Sequence, residues 1–111
     1  MWDIYLDADN IPIDHYLSDI APIISQKIYP YPIEEIVPKV YSQTNLVIKY
    51  ESCKTTTLDI TCCKTTNRNA TDARIIYNVG ISVSSGNKVI IVSNDKIFKE
   101  LEDDEGVFVI D

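Results

Sequence analysis

The chain has 111 residues, 45% of them hydrophobic, and a formal charge of −7. That length holds one small domain over residues 1–111 rather than two, and the apolar share excludes wholesale disorder. No run approaches the ~20 apolar residues that span a bilayer, and the Met-Trp-Asp-Ile start carries no basic leader, so neither membrane contact nor a signal peptide is expected.

Ile4-Tyr5-Leu6 predicts a first strand at about residues 3–7. A helix follows at about 14–28, where Leu17, Ile20, Ala21, Ile24 and Ile28 recur at helical spacing and Asp14 is placed to cap it. Pro22 lies inside that pattern and should kink or split it. Tyr29-Pro30-Tyr31-Pro32 reads as a stiff connection. A second strand is expected at about 35–42, with Pro38 disturbing its start. Residues 44–53 fit a short helix or an irregular crossover, and Leu58, Ile60 and Cys62 alternate as a third strand at a sheet edge. A helix at about 70–84 carries Ala73, Ile76, Val79 and Val83 on one stripe. Gly86-Asn87 then turns the chain into a fourth strand, Val89-Ile90-Ile91-Val92. Asp95 to Asp103 predicts a short helix with Phe98 and Leu101 inward, Gly106 stops it, and Val107 to Ile110 is a fifth strand. Strands alternating with helices imply an α/β fold with a parallel sheet and right-handed crossovers, here five strands in a three-layer α/β/α sandwich.

Cys53, Cys62 and Cys63 are an odd number with a vicinal pair, a poor disulfide framework. Neighbours in a strand point to opposite faces, which opposes shared metal ligation, so these are read as thiols of a reducing, intracellular and cytoplasmic setting. The charge of −7 argues against a nucleic-acid partner. Its distribution softens this. Six basic residues from Lys39 to Arg74 oppose three acids, a local +3, while Glu100, Glu102, Asp103, Asp104 and Glu105 cluster near the end as a solvated helix terminus.

Acidic residues close the apolar runs. Ile4-Tyr5-Leu6 ends in Asp7-Ala8-Asp9-Asn10, Val89-Ile90-Ile91-Val92 ends in Ser93-Asn94-Asp95, and a helix opens with Asn69-Ala70-Thr71-Asp72. In open α/β sheets the ligand crevice lies outside the carboxyl ends of the strands. Carboxylates gathered there, with no Gly-rich phosphate loop, point to a hard divalent metal held by oxygen.

Asp7-Ala8-Asp9-Asn10-Ile11-Pro12 resembles the opening of NYN and other PIN-like ribonuclease domains. Asn69-Ala70-Thr71-Asp72, with Ile76-Tyr77 and Gly80 beyond, is similar to the helix of that family that carries an Asn and an Asp. Val92-Ser93-Asn94-Asp95-Lys96-Ile97-Phe98 is similar to its Ser-x-Asp-x-x-Phe segment. The resemblance implies strand order 3-2-1-4-5 and an Mg²⁺- or Mn²⁺-dependent endoribonuclease. Asp7, Asp72 and Asp95 then correspond to metal-binding, catalytic carboxylates, and Asn10, Asn69 and Ser93 to supporting positions. The sequence departs from the family pattern where relatives carry a further acid, for Lys96, Ile97 and Lys99 stand there; Asp9 is expected to share a strand face with Asp7 and so to compensate. Lys64, Arg68 and Lys96 are the cations placed to touch RNA, single-stranded or structured, and nothing in the sequence excludes a homodimer.

Two other readings stay open. Asp7-Ala8-Asp9 also matches the Asp-x-Asp of haloacid-dehalogenase-type phosphatases, although Pro12 does not suit that pattern. A degenerate PIN-like module that binds RNA or protein without cutting is the other. Bland roles compete at single residues: an Asx-turn at Asp9-Asn10, helix-dipole placement for Asp72, an N-cap at Ser93-Asn94, a surface position for His15, and core positions for Tyr77 and Phe98. Removing charge at Asp7 is expected to relieve carboxylate repulsion in the metal-free protein.

Overall fold

The computed structural model describes residues 1–43, 58–63, 65, 67, 69–103 and 106–111. The apolar runs pair into one sheet of β1 (Trp2–Asp7), β2 (Lys39–Ser42), β3 (Asp59–Cys62), β4 (Lys88–Val92) and β5 (Val107–Ile110). All neighbours run parallel, and the order is β3-β2-β1-β4-β5, as expected. β1 lies at the centre, and the winding reverses between it and β4, which places a topological switch point at their carboxyl ends. Asp7 sits opposite Tyr41 and Leu6 opposite Val92, so Asp7 and Ser93 follow each other at that end.

Strand alternation sorts the core into two layers. Ile4, Leu6, Val40, Ile90 and Val92 pack with Ile13, Tyr16, Ile20, Ile24 and Ile28 on one face. Tyr5, Tyr41, Val89, Ile91, Val107 and Val109 pack with Ile75, Val79 and Phe98 on the other. The first face is covered by α1 (Ile13–His15), a π-helical turn at Tyr16–Ile20, and α2 (Ala21–Ile28). The second is covered by α3 (Ala70–Ser84) and a 3₁₀ turn at Lys96–Leu101. None of the described helices is long and apolar enough to cross a membrane.

Several local features differ from the sequence expectation. The first helix starts one residue earlier, and Asp14 lies in its first turn instead of capping it. Pro22, which has no N–H to give, occupies the start of α2, and the turn before it widens so that the Ala21 N–H reaches back to the Tyr16 carbonyl. The helix is therefore divided without being lost. The second strand is shorter than expected, because Ile33–Glu35 forms a 3₁₀ turn and Pro38 precedes the first ladder residue. Residues 44–53 lie outside the described residues.

On α3 the buried positions are Thr71, Asp72, Ile75, Val79 and Ser82, while Ala73 and Val83 are exposed. The expected stripe is thus rotated. Polar residues enter the buried face because their hydroxyls have partners: Ser82 with the Tyr5 hydroxyl, Thr71 with Asp9. The acidic run near the end also does more than face water. Glu102 accepts from the Val109 N–H at 3.0 Å and Asp103 from Gly106 at 2.7 Å and Val107 at 3.3 Å, which occupies the outer edge of β5.

Candidate active site

Asp7, the last residue of β1, is fully buried. Strand alternation turns it to the α3 side of the sheet. Its Oδ2 accepts from Asn10 Nδ2 at 2.6 Å and from Ser93 Oγ at 2.8 Å, and its Oδ1 from the Asp9 N–H at 3.3 Å. Ser93 also accepts from the Asp95 N–H at 3.0 Å, so one hydroxyl joins the ends of β1 and β4. Asp95 in turn caps the 3₁₀ turn by accepting from the Ile97 N–H at 3.1 Å.

Asp72 enters from the first turn of α3, where the helix dipole favours an acid, and is 8% exposed. Its carboxyl is pushed up to about 6 by burial first, then by the charges of Asp95 and Asp7, a hydrogen bond with the Asp95 side chain, and the charge of Asp9. Asp7, Asp9, Asn10, Gln43, Thr71, Asp72 and Asp95 line a single cleft of about 260 Å³. The acids expected from the sequence therefore do face one space.

Asp9 plays a different part from the one expected. β1 ends at Asp7, so Asp9 shares no strand face with it and belongs to the turn that follows. Its Oδ1 accepts from Ser42 Oγ at 2.8 Å and the Gln43 N–H at 3.1 Å, and its Oδ2 from Thr71 Oγ1 at 2.5 Å. Asp9 thus clasps the ends of β1, β2 and α3 while adding negative charge to the cleft. Ser42, Gln43 and Thr71 were not singled out in the sequence. The signal was there: Ser42-Gln43 ends the apolar Val40-Tyr41 run as Asp7 ends its own, and Thr71 lies inside the Asn69-to-Asp72 motif.

Asn69 stands before α3 with an exposed side chain that makes no capping bond, and it does not line the cleft. Lys96 is exposed and outside the cleft lining, and Lys64 and Arg68 lie outside the described residues. Cys62 is exposed and Cys63 buried, as opposite strand faces require. His15 pairs with Asp19 on the surface. Phe98 is core, but Tyr77 is 69% exposed and is not.

All side-chain donors of the cleft are oxygens or amides, a set that suits a hard divalent cation such as Mg²⁺ or Mn²⁺. Among the described residues no three His, Cys, Asp or Glu side chains stand ready to hold a metal ion as they are. The carboxylates converge on the cleft without closing a coordination shell. No family model, curated protein or solved structure matches the chain.

Proposed function

We propose that the chain is a PIN-like domain of the NYN kind, a metal-dependent endoribonuclease that hydrolyses RNA phosphodiester bonds at the acidic cleft. The convergence of Asp7, Asp72 and Asp95 on one cleft, at the switch point of a 3-2-1-4-5 parallel sheet, carries this reading. The state of Asp72 supports it: burial first, then the charges of Asp95, Asp7 and Asp9, raise its carboxyl to about 6, a cost that a bound cation would offset.

Asp7, Asp72 and Asp95 are the residues to hold Mg²⁺ or Mn²⁺, which when bound supplies charge for the phosphoryl oxygens and an acidified water. Asn10 and Ser93 fix the Asp7 carboxylate toward the cleft. Asp9 holds the three surrounding elements together and deepens the negative potential.

A second reading has its own support. The place of the family's additional acid is taken by Lys96 and Ile97, both exposed, and no three acids are pre-arranged around a metal position among the described residues. A non-cutting PIN-like module fits those facts. Labelled single-stranded RNA and para-nitrophenyl phosphate, each incubated with Mg²⁺, Mn²⁺ or EDTA, separate the readings. RNA cleavage that EDTA stops supports the nuclease, phosphate-ester hydrolysis alone points to a phosphatase, and a folded protein that does neither supports the module.

A further inference from the structure

Beside the acidic cleft lies a second, mostly apolar hollow of about 400 Å³, lined by Cys63, Thr65, Ala70, Ala73, Arg74 and Tyr77. The two hollows share a wall: Thr71 lines the cleft, and its hydroxyl lies 3.5 Å from Sγ of Cys63, which lines the hollow. Ala70, Ala73, Arg74 and Tyr77 are spaced to form one flank of α3. The alanines leave room on that flank, and Tyr77 stands out from it, 69% exposed. Arg74 is half-buried, and among the described residues its guanidinium pairs with no carboxylate. An aromatic ring, a small-residue floor and a guanidinium side by side are the elements of a base-stacking and phosphate-holding surface.

We infer that this flank of α3 is a nucleotide subsite next to the cleft, where Tyr77 stacks a nucleobase and Arg74 holds the adjoining phosphate. The subsite rests on the reading of the cleft as a nucleic-acid site, and assigns that site a single-stranded substrate, since a base in a duplex has no free face for Tyr77. Along the axis of α3, Asp72 and Tyr77 differ by about 7.5 Å at the usual rise per residue, and about 140° of helix turn separates them, so a strand joining the two sites passes around the start of α3 over the wall formed by Thr71 and Cys63. A second copy of the chain is the competing occupant, because Ile81 is also exposed on this helix. A two-fold contact centred on the hollow would set Arg74 against the same cation of the other copy, which disfavours it.

The test is binding without cleavage. A short fluorescent 2′-O-methyl RNA is titrated in EDTA into wild type, Tyr77→Ala, Tyr77→Phe and Arg74→Ala. Tyr77→Ala should bind about tenfold more weakly, while Tyr77→Phe, which keeps the ring, stays within about twofold of wild type. Arg74→Ala should flatten the slope of log affinity against log salt by about 0.7, the share of one phosphate on a single strand. Adenosine monophosphate should bind the wild type and ribose 5-phosphate much less, since only the first carries a base. Tyr77 is exposed, so its variants should keep the wild-type thermal midpoint. Equal RNA affinity in wild type and Tyr77→Ala overturns the subsite. So does a wild-type dimer that Tyr77→Ala converts to a monomer. If RNA binding depends on Tyr77 and Arg74 but nothing is cut when Mn²⁺ is supplied, the subsite stands and the nuclease reading falls.

Discussion

At Asp72, burial and three neighbouring acids act in the same direction, and the consequence is readable in stability as well as chemistry. The folded protein holds this proton up to about 6, against 3.8 for an ordinary carboxyl. The folded state therefore binds more protons than the unfolded one between those values, so this group's contribution to stability falls as pH rises through that window. Above it, the cost is fully present. Asp72→Asn should then melt higher than wild type in EDTA near neutral pH, with the difference vanishing toward pH ~4; thermal unfolding across that range checks it. RNA cleavage should also fall as pH drops, because protons then compete with the cation for Asp72. Asp7 differs, and the expected relief of repulsion there gives way to its hydrogen bonds. Donors approach both of its oxygens, and an Asn amide in its place offers only one acceptor oxygen, so the Asn10 and Ser93 bonds or the Asp9 N–H bond must be given up or reversed. Asp7→Asn should lose about 1–3 kcal/mol in chemical denaturation.

Between elements, the Asp9 clasp sets the shape of the cleft. Three segments far apart in sequence meet at one carboxylate, through Ser42, Gln43 and Thr71. Thr71 is buried, and Thr71→Val keeps its shape while deleting the hydroxyl that α3 offers to Asp9. The loss should be about 1–2 kcal/mol by urea unfolding, together with weaker metal-dependent activity as the first turn of α3 loosens from the end of β1. A Thr71→Val protein with unchanged stability would remove the clasp from the account. This arrangement was only partly legible in the sequence. The acids that end β1 and β4 stood out because they interrupt long apolar runs, and Asp72 because it opens a helix. The partners of Asp9 did not, since a Ser, a Gln and a Thr acquire meaning only through contacts across the sheet. The α3 stripe was misplaced for a related reason: Thr71 and Ser82 are polar, yet their hydroxyls are satisfied inside, so apolar periodicity alone turned the helix the wrong way.

For the molecule as a whole, the sequence was most informative where periodicity is long. The five strands and α3 came through, and the strand order that the family resemblance implied is the order of the sheet. It was least informative where proline or short polar segments decide, as in the π-helical turn before Pro22 and the shortened β2 after Pro38. The net charge of −7 also reads differently once placed in the fold. Part of it is spent along the edge of β5 by Glu102 and Asp103, and part is concentrated at the cleft, where it would attract a cation, while Arg74 lies apart on the flank of α3. The central claim is that Asp7, Asp72 and Asp95 act together on RNA, and cleavage of labelled single-stranded RNA with Mn²⁺ tests it most directly. The account predicts cleavage by wild type that EDTA abolishes, and little or none by Asp72→Asn or Asp95→Asn, both still folded by thermal unfolding. Cleavage by both variants at the wild-type rate, or none by a folded wild type with either Mn²⁺ or Mg²⁺, would contradict it.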